Sequence, residues 1–361
     1  MAASDLRARA EALHRVRPVV ECHADYPVDV YRRRRAGEAA PYCDDYLDRL
    51  RAGGVKIQLL AAGGDVPGQH ECAGDERESA LAMLGDVLAE EGGDPGFRIV
   101  RTTGDLDAVL AGEKIGLVLH LEGAKPLIAG NDVLGTGFRT ELAMFHELGL
   151  RSLQLTWNGP NPFADGVGVA EPKGLTPLGL ELVSELDRLG ILIDVAHLAE
   201  PSFWDLVELA EGPVVASHAN AEAVTQHRRN LTDDQVRAVA GTGGFVGVCF
   251  IGDFIGEPVT VDHVMDHVDH LVDVAGIDAV AIGADYVEFA LDLMVDPAEG
   301  GGYLGPEGLR RVETLPVFTA ALLGRGYSEE DAARILGGNA LRVLRTVLRD
   351  EPDRELPVTA P

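Results

Sequence analysis

Three observations predict a (β/α)₈ barrel: eight short apolar runs recur along the chain, helix-patterned stretches separate them, and five of the runs end near a histidine or a carboxylate. The runs are VVECHAD (19–25), VKIQLLAA (55–62), LVLHLEGA (117–124), LRSLQLTWN (150–158), ILIDVAHL (191–198), PVVASHAN (213–220), FVGVCFIG (245–252) and AVAIGADY (279–286). Their length and β-branched content suit strands buried on both faces. Between them, ERESALAMLGDVLAEEG, LGLELVSELDRLG and TDDQVRAVAGTGG carry apolar residues at three- and four-residue spacing, as helices covering a parallel sheet must. A doubly wound sheet would need about five or six strands and a glycine turn after the first, which VVECHADYPVD lacks. No proline- or glycine-rich linker divides the chain, so one domain is expected over residues 1–361, its core at about 18–346 between a short polar N-terminal helix and a C-terminal tail. The glycine cluster EGGGYLGPEG (299–308) follows the eighth run, where a barrel carries an active-site loop.

Composition narrows the partners. A chain of 361 residues with 46% hydrophobic and 25% charged residues can bury a large core. Its 31 basic and 59 acidic residues give a formal charge of −28, which repels nucleic acid and anionic membranes alike and favours a small-molecule substrate. The N-terminus is polar, and no apolar stretch reaches the roughly 20 residues of a membrane helix, so a soluble, cytoplasmic protein is expected. Nothing in the composition opposes a homodimer. Cys22, Cys43, Cys72 and Cys249 are scattered without a CxxC pair, which predicts reduced thiols. Strand alternation would turn Cys22 away from the face carrying His23 and Asp25.

The candidate chemistry gathers on one rim. His23 and Asp25 end the first run, Glu122 the third, His197 the fifth, His218 the sixth and Asp285 the eighth, and the C-terminal rim is where such a barrel places its active site. Two residues apart on a strand, His23 and Asp25 would share a face and grip one ion from two directions. Three histidines with two or three carboxylates exceed the needs of one tetrahedral ion and suit two divalent ions, Zn²⁺ foremost. Glu122, between the HxD pair and the two later histidines, is expected to bridge ions about 3.5 Å apart. His120, two residues earlier on the same face and one layer deeper, is expected to be either a core residue or a group that orients Glu122. The VDHVMDHVDH run (261–270) reads as a charged helix surface.

ECHAD, LEGA, GLTPLGLELVSELDRLGILIDVAHL, PVVASHAN followed by HRRNLTDDQ, IGADY and GGNALRV together resemble the membrane (renal-type) dipeptidases, zinc peptidases of the amidohydrolase-like barrel group. The resemblance runs in order from about residue 18 to 346. It implies a binuclear zinc centre on His23, Asp25, Glu122, His197 and His218. It further implies a substrate-carboxylate grip by Arg229, where a guanidinium fork fits, and a proton-shuttling Asp285 that also meets the substrate amine. Glu122 and Asp285 are thus the expected catalytic residues. The chain departs from the family in three places. Trp157 stands where the family has the His of an LTH motif, which shifts carbonyl activation toward the metals or Asn158. Asp285 is followed by YVEFALDLMVDPAEGGGYLG rather than Asp-Gly, and Lys125 follows EGA where the family has EGG-His.

The leading expectation is therefore a two-metal dipeptidase that attacks the peptide carbonyl with a metal-bridging hydroxide and tolerates a C-terminal D-residue. The alternative is a related amide, lactam or ester hydrolase acting on a small metabolite or natural-product precursor, which Trp157 and the altered eighth loop suggest. A third reading is a barrel that has lost catalysis and serves as a binding protein.

Overall fold

The computed structural model describes residues 3–66, 75–93, 96–128, 137–287, 289 and 303–350. After a helix at Ala3–Val16, the parallel strands are β1 (Val19–Ala24), β2 (Val55–Gly64), β3 (Phe97–Ile99), β4 (Ile115–Glu122), β5 (Leu150–Gln154), β6 (Leu192–Asp194), β7 (Val214–Ala219), β8 (Val246–Val248) and β9 (Val280–Ile282). Eight of them run in the order β2-β1-β9-β8-β7-β6-β5-β4, and a β2–β4 pairing closes the ring. The (β/α)₈ expectation holds. The additional strand, β3, lies outside the ring against β4, in register Phe97↔Ile115 to Ile99↔Leu117. At three residues it is too short to stand out as an apolar run.

Alternation explains the walls. Leu117, Leu119 and Leu121 of β4 pack outward with the surrounding helices, while Val118 joins an inner cluster with Val20, Leu192, Val215 and Ala281. That inner cluster continues into Ala340, Val343 and Leu344 of the helix Asn339–Val347, which is its amphipathic face. Cys22 belongs to the inner cluster too, contrary to the reading that turned it away from His23. The cause is a register shift between Glu21 and Ala24, which breaks the two-residue period before His23 is reached.

Helices at Glu76–Glu91, Pro177–Leu189 and Asp233–Gly241 occupy three of the predicted stretches. The last predicted runs yield shorter ladders, Val246–Val248 and Val280–Ile282, and the residues after them leave the sheet to form the rim. The VDHVMDHVDH segment is a helix, Val261–Ala275, yet not all surface, because His267 is fully buried. Among the described residues, Cys22, Cys43 and Cys249 are free thiols, whereas Cys72 and residues 299–302 of the glycine cluster lie outside the described residues. No described helix is long and apolar enough to cross a membrane.

Candidate metal centre

β1 delivers His23 to the rim, where its ring packs on His218 with centroids 3.9 Å apart. The strand ends at Ala24, and Asp25 occupies the position before the helix Tyr26–Arg35. Its carboxylate does not cap that helix; Oδ2 lies 3.6 Å from Nε2 of His23 instead. Glu122 is the last residue of β4, and its Oε1 lies 3.6 Å from His23 Nε2, 3.2 Å from His197 Nε2 and 3.6 Å from His218 Nε2. One carboxylate oxygen thus faces three imidazole nitrogens. Asp285 approaches from the other side, so that His23, Asp25 and Asp285 form one possible ligand group and His23, Glu122 and His218 another, sharing His23.

One tautomer follows from its partner. His197 Nδ1 sits 2.8 Å from Oδ1 of Asn158, which can only accept, so the proton is on Nδ1 and Nε2 carries a lone pair. His218 Nδ1 lies 2.8 Å from Ser217 Oγ, a hydroxyl that can donate to it or accept from it. The two Nε2 atoms are 3.0 Å apart. Both nitrogens of His23 and Oδ1 of Asp25 are buried without a hydrogen-bond partner, a deficit that a cation would relieve.

Backbone strain marks the same residues. Among the described non-glycine residues only His197 and Asp285 have positive φ, at 65° and 56°. Each such conformation costs on the order of 1–3 kcal/mol and persists where the surroundings force it. His197 is pinned by its carbonyl, which accepts from Val167 N–H at 2.9 Å.

Charge in the cluster is poorly neutralised by protein alone. Burial would lower the pKa of His23, but Glu122, Asp25 and Asp285 outweigh it and push it up to about 10. Burial and the neighbouring Asp25 carboxylate raise Glu122 well above its ordinary range, and burial raises Asp285 to about 6. Burial, with the positive charge of His23 and Arg229, holds His197 and His218 well below the usual histidine value. Divalent cations fit this cluster of carboxyl and imidazole groups with the donors already gathered.

The remaining predicted residues fall into place around this centre. Arg229 is 3% exposed; it donates from Nη2 to the His218 carbonyl at 3.1 Å and stacks over Phe254, while its Nε has no partner. Asn158 holds His197 rather than facing outward, and the half-buried Trp157 ring tilts against His197 with centroids 5.7 Å apart. Of the two readings of His120, the core one holds, and it does not touch Glu122. Its Nδ1 meets Ser152 Oγ at 2.9 Å and its Nε2 faces Asp194 at 3.8 Å, one layer beneath His23.

Two residues escaped the sequence reading. Asp65, just past β2, accepts from Lys125 N–H and from Asn161 Nδ2, both at 2.8 Å, and its own N–H donates to the Glu122 carbonyl at 2.9 Å. It clasps the turn after Glu122 to the loop that carries Trp157 and Asn158. Gly123, at φ 120°, is required there because a Cβ would run into the Asp65 carboxylate. Asn220 exchanges two 3.0 Å hydrogen bonds with the backbone of Cys249, locking the ends of β7 and β8 together. The only sequence signal for either is a polar residue just past a strand end.

A parallel eight-stranded barrel with a histidine–carboxylate cluster at its C-terminal rim defines a metal-dependent hydrolase of the amidohydrolase-like type. The pattern of the membrane dipeptidase family (peptidase family M19) matches residues 7–354, and the chain belongs to that family. It is 31% identical to human dipeptidase 3, over 99% of this chain and 71% of that one. It is 32% identical to an uncharacterised protein in the pqqA 5′ region of Klebsiella pneumoniae, over 74% of this chain and 94% of that one. A metallopeptidase from Rhodobacter sphaeroides, crystallised with a phosphinate mimic of L-Ala-D-Ala, superposes with a TM-score of 0.78 at 28% identity, covering 91% of this chain and 99% of that chain.

Proposed function

We propose that the protein is a two-metal dipeptidase in which His23 and Asp25 would hold one ion, His197 and His218 the other, and Glu122 would be shared between them. The observation that carries this reading is Glu122 Oε1, set 3.2–3.6 Å from the Nε2 atoms of His23, His197 and His218. Two ions, most simply Zn²⁺, would supply Lewis acidity toward the scissile carbonyl and acidify the attacking water. The chain's own groups do the rest. Arg229, buried with an unpartnered Nε, grips the substrate's C-terminal carboxylate, and Asp285, at the edge of the cluster, binds the free amine and hands a proton to the leaving nitrogen. Tolerance of a C-terminal D-residue is supported by the L-Ala-D-Ala mimic bound to the Rhodobacter sphaeroides relative.

A second reading, hydrolysis of another small amide, lactam or ester, draws on Trp157. Its indole offers an apolar face against His197 where a histidine donor would serve a peptide carbonyl. The test is to assay zinc-loaded protein on L-Ala-L-Ala, L-Ala-D-Ala, N-acyl amino acids and lactones, with metal counted per chain. The dipeptidase reading expects about two ions and turnover of both dipeptides, with Glu122→Gln losing metal and activity together. Turnover confined to lactones or N-acyl substrates would transfer the assignment to the second reading.

A further inference from the structure

Beside the centre lies a cavity of about 140 Å³ whose wall includes His197, Arg228, Arg229 and Asn230, with Glu200 and Glu222 also lining it. The HRRN turn that forms this wall is built rather than loose. His227 stacks on Phe254 with centroids 4.8 Å apart and accepts the Arg229 N–H through Nδ1, and Asn230 Nδ2 donates to the carbonyls of Thr225 and Phe254, both at 2.8 Å. A capping box between Thr232 and Gln235 then starts the next helix. The turn therefore holds two consecutive guanidinium groups at one cavity.

Those two groups differ in their commitments. Arg229 is buried and spends one nitrogen on a backbone carbonyl. Arg228 is exposed, and among the described residues its side chain makes no ion pair and no hydrogen bond. Arg33, Arg139 and Arg325 by contrast each bind two or more carboxylates, while Arg228 shares its unpaired state with Arg15 and Arg32 but unlike them lines the cavity. Its side chain lines the cavity together with Arg229. Of the two acids at the cavity, Glu200 accepts from the Trp204 indole at 3.5 Å, and neither pairs with Arg228.

We propose that Arg228 forms a subsite for a second anionic group, so that the enzyme favours dipeptides whose C-terminal residue is itself acidic. The inference rests on the dipeptidase reading and deepens it: Arg229 takes the α-carboxylate and Arg228 the side-chain carboxylate of a C-terminal Asp or Glu. A neutral isostere such as Gln would leave the guanidinium without its charged partner.

The test compares zinc-loaded wild type and Arg228→Gln on Ala-Glu, Ala-Gln and Ala-Lys, each with L and D C-terminal residues, alongside calorimetric binding of free glutamate and glutamine. A charge-assisted contact predicts about a tenfold preference of the wild type for Ala-Glu over Ala-Gln, expressed in KM. It also predicts glutamate binding about tenfold tighter than glutamine, with both preferences lost in Arg228→Gln. Equal handling of Glu and Gln by the wild type, a preference that survives the substitution, or a preference for Ala-Lys set by Glu222 would each overturn the subsite. If no dipeptide is cleaved yet the Arg228-dependent glutamate preference is measured, the dipeptidase reading fails and the subsite stands.

Discussion

The Nε2 atoms of His197 and His218 face each other 3.0 Å apart, while Asn158 Oδ1 holds the His197 ring proton on the opposite nitrogen. Folding buries these rings with the Glu122 carboxylate and leaves both nitrogens of His23 without a partner, so part of the folding free energy is spent on desolvating them. Cations that bind only the folded arrangement return it. With Zn²⁺ at 100 to 1,000 times its dissociation constant, stability should rise by about 3–4 kcal/mol per tightly bound ion, measured by urea unfolding with and without chelator. Asn158→Ala frees the His197 ring and should weaken zinc binding by about 10–100-fold. Unfolding curves that superpose with and without zinc would remove the cluster from metal binding.

Asp65 gives a second prediction. Its carboxylate is 5% exposed and receives two donors from two different loops, so Asp65→Ala strands the Lys125 N–H and leaves Asn161 Nδ2 with the Leu155 carbonyl alone. Each buried donor so stranded costs about 1–3 kcal/mol. The loss should appear in urea unfolding and in a lowered kcat, because the Glu122 turn and the Trp157–Asn158 loop would move independently. Asp65→Asn keeps one acceptor and should fall between. An alanine variant with wild-type stability and kcat would show that the clasp does not matter.

His267 supplies a pH dependence. Its Nδ1 accepts from Ala221 N–H at 3.2 Å and its Nε2–H donates to the Ile255 carbonyl at 3.1 Å, so the ring is neutral, and burial lowers its pKa to about 4. Nearby His263 lowers it further and Asp266 opposes the shift. Between pH 6.5 and 4 the unfolded chain binds a proton that the folded chain does not, so this contribution is fully present above about 6.5 and is lost as pH falls toward 4. The full loss is about 3 kcal/mol at most. The stability advantage of wild type over His267→Gln should therefore shrink across that window in urea unfolding followed against pH. A difference that stays constant from pH 7 to 4 would contradict a neutral buried ring.

These cases show where the sequence is readable. The barrel is legible because each strand buries both faces, leaving continuous apolar runs, and because the helices between them repeat at 3.6 residues. The candidate ligands are legible because the C-terminal rim follows from strand order. What periodicity misses is contact across the fold. His267 looks like its charged neighbours in VDHVMDHVDH, and only the packing of Val261–Ala275 against the loop after β7 makes it buried. Asp65 looks like an ordinary loop acid until Lys125 and Asn161 converge on it. His120 shares a strand face with Glu122, but depth within the barrel sends it to Ser152 and Asp194 instead.

Trp157 is where a substitution says most about substrate. The indole tilts against the His197 ring, and the next residue, Asn158, fixes that ring's proton, so residues 157 and 158 together cover and orient one histidine. If the pocket lacks only a carbonyl donor, Trp157→His should restore it and raise kcat/KM on simple dipeptides by about 10²–10³. The packing argues for the opposite. Replacing the indole uncovers His197 and removes a large apolar contact surface from the pocket wall, while nothing in the 157–168 loop is arranged to aim an imidazole at the substrate. We expect Trp157→His to bind zinc less tightly and to turn over dipeptides no faster than wild type, with Trp157→Phe retaining more of both because it keeps an aromatic face over His197. Steady-state kinetics and zinc titration of the three proteins decide it. A hundredfold gain for the histidine variant would show that Trp157 merely removed a donor, and would leave the metals and Arg229 as the ordinary machinery of a dipeptide site.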